Sequence, residues 1–244
     1  MKKLIKMILC CFMSICLFAC SSKQEVIDDK QVVIDALKKT NELEFVDLDM
    51  DMSMKFMGMT IDVPINSKMI SKDNKATAMS MSTSVMGQDI EMSYIDGYIY
   101  MSVAGMKFKG SATEEEFIEY SEMNYSLDES MILDAKKMED GSYNVVLNND
   151  AANDLTGSLE GSLGEMENNE IKNMTYNVKI NEDGYVSDFS IIMDLSAVIE
   201  ATSYDINATI NCKYNNIGQT FEITVPEDAD SYEEVDISEL MNSL

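Results

Sequence analysis

Residues 45–56 read Phe45-Val46-Asp47-Leu48-Asp49-Met50-Asp51-Met52-Ser53-Met54-Lys55-Phe56. From Val46 to Phe56 every even position is apolar, and the odd positions are Asp, Ser and Lys. Successive side chains of an extended chain point to opposite faces, so this pattern specifies a strand with one face on a core and the other in water. The parity flips at Met57-Gly58-Met59, which predicts a tight connection or a bulge. Met59, Ile61, Val63 and Ile65 then carry the alternation on.

The same period recurs outward from this stretch. Thr77, Met79, Met81, Thr83 and Val85 alternate after a turn at Lys72-Asp73-Asn74. Ile90, Met92 and Tyr94 lead into Asp96-Gly97, a two-residue hairpin signal, and residues 98–103 return from it. Asp140-Gly141 and Asp183-Gly184 repeat that signal. Residues 185–195 and 204–214 alternate again, and Phe221, Ile223 and Val225 predict a last strand running up to Pro226.

Helical spacing appears in three places. Residues 30–40 place Val33, Ala36 and Leu37 on one helix face, with Asp28 or Asp29 as a cap. Thr113 and Glu116 form a capping box ahead of Phe117, Ile118 and Tyr120. Residues 151–166 space Leu155, Leu159 and Leu163 four apart, although Gly157, Gly161 and Gly164 weaken that helix. The acidic stretch after Pro226 has few apolar residues and is expected to be only partly ordered. The fold class is therefore α+β, with roughly ten antiparallel strands, each with one apolar face, and too few helices to cover a flat sheet. A strongly curved sheet wrapped around its helices satisfies that constraint.

The N-terminal residues 1–20, MKKLIKMILCCFMSICLFAC, have a basic start at Lys2, Lys3 and Lys6 and an uncharged, mostly apolar run from Met7 to Ala19. The run ends in Leu17-Phe18-Ala19-Cys20 and is too short to span a bilayer comfortably. It reads as an export signal over residues 1–19, with Cys20 as the residue that takes a diacylglycerol. Residues 20–29 are then a short tether, and residues 30–244 a single domain. The expected location is the extracytoplasmic face of the cell membrane, with the lipid as the only membrane attachment. Two acyl chains on one glycerol suffice for that, where one would not.

Bulk composition excludes several classes. The chain carries 44 acidic residues against 18 basic ones, a net charge of −26. Removing the signal's three lysines takes this to −29, which argues against nucleic-acid binding. All the basic residues are lysines, so no guanidinium fork is present. Of five cysteines, Cys10, Cys11 and Cys16 leave with the signal and Cys20 is modified. Cys212 remains alone, an expected small buried hydrophobe. The chain has no histidine, which removes Ser-His-Asp, Cys-His and His-Glu-x-x-His sites together. No Gly-x-Ser-x-Gly or Ser-x-x-Lys pattern occurs, so the expectation is that the protein is not an enzyme. Neither a catalytic residue nor a cofactor is expected.

Set together, the order of elements resembles a known group. A lipobox is followed by a short helix, long alternating strands, the hairpin Asp96-Gly97-Tyr98-Ile99-Tyr100-Met101, and Lys107-Phe108-Lys109-Gly110 leading into a helix. The strand ending Ile223-Thr224-Val225-Pro226 then runs into an acidic tail. This resembles the half-barrel lipoproteins related to LolA, LolB, LppX and LprG, and most of all the uncharacterised low-GC Gram-positive members. The resemblance implies an unclosed antiparallel barrel around helices, with a cavity that in several members holds a lipid or acyl chain. The residue it carries over is Cys20.

The methionines are the remaining candidates. Twelve lie between Met50 and Met106, on the apolar parity together with Val46, Leu48 and Phe56. A Cu(I) thioether site at Met50, Met52 and Met54 is one reading; a core filled by flexible side chains is the simpler one. A third makes Met52, Met54, Met79, Met81 and Met92 the lining of a cavity for an acyl chain or other apolar ligand. The aspartates at 47, 49 and 51 do not fit a calcium loop, because Met52 and Gly58 stand at its sixth and twelfth positions. No metal site is expected. The functional expectation is a lipid-anchored, monomeric binding protein. The alternative is a surface lipoprotein with a full core that contacts proteins or the envelope through its acidic face.

Overall fold

A computed structural model describes residues 28–72, 75–85, 87–113, 129–148, 167–199 and 202–237. Helix α1 spans Asp29–Asn41. Its start is fixed by Asp28, whose carboxylate accepts from the Lys30 backbone N–H at 3.1 Å. The face that repeats at three and four residues, Val33, Ile34, Ala36 and Leu37, is buried. Thr40 ties the helix to the sheet. Its hydroxyl donates to the Ala36 carbonyl at 2.7 Å and accepts from the Val186 N–H at 2.8 Å.

Eleven strands follow before the C-terminal segment: β1 (Phe45–Phe56), β2 (Met59–Lys72), β3 (Lys75–Val85), β4 (Gln88–Ile95), β5 (Tyr98–Val103), β6 (Met106–Ser111), β7 (Ile132–Lys137), β8 (Tyr143–Leu147), β9 (Glu167–Ile180), β10 (Val186–Ile199) and β11 (Thr202–Asn215). A two-residue β12, Glu233–Glu234, closes the series. All twelve belong to one sheet in the order β12-β6-β5-β4-β3-β2-β1-β11-β10-β9-β8-β7. Every pairing is antiparallel except β12 on β6. The end strands β7 and β12 do not meet, so the sheet is an unclosed α+β half-barrel.

The 45–56 stretch forms β1 over its full predicted length, and β1 lies at the middle of the sheet. Its parity flip is a two-residue turn in which Met57 and Gly58 both have positive φ, 52° and 79°. Asp96-Gly97 makes the same turn, at 53° and 80°. Two positive φ values give the backbone twist that matches paired strands. Pro64 is tolerated inside β2 because β3 pairs only with Ile65–Lys72, leaving the Pro64 side of β2 outside that ladder.

Three expectations need correction or placing. The sheet has twelve strands rather than about ten. Phe221, Ile223 and Val225 do not form a strand: residues 219–226 have no ladder partner. Alternation makes a strand only where a neighbour can take up the backbone hydrogen bonds, and here the segment crosses a sheet face instead. Among the described residues there is one α-helix, the expected one over 30–40. The helices expected after Thr113 and over 151–166 lie outside the described residues, as do residues 1–27 and with them Cys20.

The acidic stretch beyond Pro226 is folded against β6. Phe221 meets Phe45 edge-on at 5.5 Å between ring centroids. Asp228 pairs with Lys107. The Lys109 amine donates to the Ala229 carbonyl at 3.4 Å, and the Val235 N–H donates to the Lys109 carbonyl at 2.9 Å. Ile237 is then buried beside Gly110, among Met79, Met92, Tyr94, Ile99 and Met101. A Cβ on Gly110 would collide with the Val235 carbonyl oxygen and lie 2.6 Å from Ile237 Cγ1. Gly110→Val is therefore expected to lower stability by about 1–3 kcal/mol through overpacking. Urea unfolding checks this.

Candidate ligand-binding face

The register aligns the apolar positions of all the long strands on one face. One row across the sheet runs Leu48, Ser67, Met81, Met92, Met101, Phe108. In the other direction Met52 faces Ile210, then Ile191, then Tyr176, and Met54 faces Ala208, then Met193, then Met174. The face carries two buried clusters. The larger joins α1 to β7–β11 and includes Met50, Phe189, Ile191, Met193, Ile206 and Ile210. The smaller lies at the β3–β6 end under Ile237.

The five predicted lining methionines are divided between these clusters. Met79 and Met92 are buried in the smaller one, and Met81 packs against it half-buried. Met52 and Met54 are half-buried against the larger one. Between the clusters, on β1 to β3, runs a strip that neither fully covers. Met52, Met54, Val63, Ile65, Met69 and Met81 are all half-buried there. Methionine suits such a strip, because three rotatable bonds and a polarizable sulfur let it refill irregular space.

Sequence reasoning passed over Thr83. It holds an apolar-parity position in the row Met50, Ile65, Thr83, Ile90, Val103. Its Oγ1 is buried with no hydrogen-bond partner, and it is the sole buried side-chain oxygen or nitrogen in that state among the described residues. The signal was legible: a hydroxyl at a position where the alternation calls for hydrocarbon. A buried hydroxyl without a partner costs on the order of 1–3 kcal/mol.

The opposite face is polar. Lys179, Asp188, Lys213 and Asp49 follow one another across β9, β10, β11 and β1, alternating in charge. A parallel row of Asn144, Asn177, Ser190 and Asn211 is partly linked, with Asn144 donating to Asn177 at 3.2 Å. This face bears an open groove of about 980 Å³ over β7–β11 and a cavity of about 400 Å³ under residues 223–232. Among the described residues no three His, Cys, Asp or Glu side chains gather as a metal site, and no helix is long and apolar enough to cross a membrane.

Burial sets the titration behaviour of the few ionisable groups at the larger cluster. Desolvation, with a smaller contribution from Asp51, pushes the Cys212 thiol up to about 12. Desolvation also raises Tyr176, and it carries Tyr214 to about 12. The expected role of Cys212 as a buried apolar side chain is the one it has.

Against known proteins, no family model and no curated sequence matches the chain. Solved structures with a similar course exist. LprF from Mycobacterium bovis is 10% identical, covering 81% of this chain and 96% of that one at a TM-score of 0.45. A putative outer membrane lipoprotein-sorting protein domain from Vibrio parahaemolyticus is 7% identical, covering 83% and 96% at 0.29. A DUF1329 family protein from Desulfovibrio piger is 9% identical, covering 79% and 95% at 0.27.

Cys212 gives a direct check of the packing. Only the thiolate reacts with alkylating agents, so at pH 8 the folded chain is expected to leave Cys212 unmodified by iodoacetamide while urea-unfolded chain is labelled. Equal labelling in both states, read by intact mass, would contradict the packed face.

Proposed function

We propose that this chain is a lipid-anchored, extracytoplasmic binding protein that holds an acyl chain or similar apolar ligand on the methionine strip of its sheet. Anchoring rests on Cys20 and the signal pattern before it. The observation that carries the binding reading is the strip itself. A well-filled core would bury Met52, Met54, Met69 and Met81 as it buries Met50 and Met193; instead they stay half-buried between two closed clusters.

Thr83 supports the same reading. Its orphan hydroxyl lies beside apolar neighbours and would be satisfied by the carboxyl or ester oxygen of a lipid whose hydrocarbon lies along the methionines. Hydrocarbon burial supplies the affinity, about 0.8 kcal/mol for each methylene removed from water. Binding alone is proposed, with no bond made or broken.

A Cys20→Ser chain without residues 1–19, purified without detergent, is expected to take up a fluorescent fatty acid saturably. Thr83→Val removes the orphan hydroxyl. It should hold or raise the melting temperature while weakening fatty-acid binding about fivefold, the equivalent of one hydrogen bond. If Thr83→Val stabilises the chain and no fatty acid binds to either form, the core is simply full and the proposal fails. The anchor is tested separately: Cys20→Ala should move the protein from the membrane to the soluble fraction.

A further inference from the structure

The cavity on the polar face has the makings of a second site. We infer that it binds a small neutral sugar, held between a floor of hydroxyl and amide groups and the C-terminal segment that roofs it. The floor comes from three adjacent strands. Asn66 of β2 pairs in register with Ser82 of β3, and Ser80 of β3 with Ser93 of β4. The roof is the unpaired stretch around Ile223, Thr224 and Pro226, continuing to Tyr232. The space between floor and roof is open to solvent on one side, and its volume of about 400 Å³ lies at the small end of ordinary ligand pockets.

Three observations select the ligand class. First, the side chains of Asn66, Ser80, Ser82 and Ser93 have no hydrogen-bond partner among the described residues, so four donor–acceptor groups stand ready on one floor. The amides of the neighbouring groove differ, since Asn144, Asn177 and Ser190 already bond one another. Second, Tyr100 and Tyr232 meet edge-on at 5.7 Å and wall one end with aromatic surface against which the C–H face of a sugar ring can pack. Third, the charges do not favour an anion. Lys107 is bound to Asp228, Lys68 lies over the Phe221 ring, and the Asp47 and Glu91 carboxylates also line the cavity. With no arginine in the chain and a net charge of −26, nothing here favours a phosphate or carboxylate.

The latch that holds the roof is also visible. The Lys107–Asp228 pair and the Val235 N–H to Lys109 carbonyl bond pin the segment to β6 on one side of the cavity. The stretch at Ile223–Val225 keeps its backbone groups out of the sheet ladder, which leaves them available to the same ligand.

Saturation-transfer NMR on the full chain in detergent micelles tests this, with glucose, N-acetylglucosamine and maltose as probes and inorganic phosphate as the anionic control. At least one sugar is expected to bind with a Kd of about 1 mM, and phosphate should not compete. Ser80→Ala with Ser93→Ala should weaken that sugar about tenfold, and so should Tyr100→Ala. Asn66→Ala, at an exposed position, should weaken it in a chain whose melting temperature is unchanged, which keeps the test valid if either other variant unfolds. Failure of all three sugars to bind overturns the inference. So does sugar binding untouched by Asn66→Ala, or phosphate binding that competes. None of these outcomes bears on the fatty-acid site, which lies on the opposite face.

Discussion

The structure depends on hiding one apolar face of a twelve-stranded sheet from water. A period-two sequence fixes that face residue by residue, because a slip of one position would exchange Met50, Met52 and Met54 for Asp49, Asp51 and Ser53. From β6 to β8 across the sheet, the register keeps the apolar parity of neighbouring strands in line, apart from bulges in the β2–β3 and β9–β10 pairings, and two clusters close over parts of the face. α1 seals one end through Val33, Ile34 and Leu37, with Thr40 bonded to the backbone of β10. Ile237 seals the other by wrapping around the β6 edge into the notch left by Gly110. What these two seals do not cover is the methionine strip on β1 to β3, and the proposed function follows from that remainder.

The same constraint accounts for the polar face. Aspartate, lysine, asparagine and serine on the alternate positions bring opposite charges next to one another across the strands, as with Lys213 between Asp188 and Asp49. That arrangement lets a chain of net charge −26 build a sheet without stacking like charges at every step. The C-terminal segment uses this face as its track and β6 as its fastening. It also covers an edge strand that would otherwise expose unpaired backbone groups.

Much of this was legible in the sequence, and the limits have physical causes. β1, the Met57-Gly58 and Asp96-Gly97 turns, α1 with its Asp28 cap and the burial of Cys212 all rest on local pattern, and local pattern was enough. The segment from Phe221 to Val225 alternates as well as any strand, yet it has no ladder partner, because pairing depends on what lies alongside and not on the segment itself. The fold of the acidic stretch on β6 was hidden for a related reason. Its ordering comes from Gly110, Lys107 and Lys109, more than a hundred residues away. For the site, alternation gave the parity of Met52, Met54, Met79, Met81 and Met92. It could not show that Met79 and Met92 would be closed over by Ile237 while the other three stayed half-buried.

The central claim is that the strip between the clusters is a ligand site and not slack packing. Methyl NMR of the chain labelled at methionine ε-carbons, recorded with and without a long-chain fatty acid, tests it most directly. The account predicts saturable shifts at Met52, Met54, Met69 and Met81, with Met50 and Met193, both buried in the larger cluster, unmoved. A spectrum unchanged at those four methyls in the presence of excess fatty acid would contradict it.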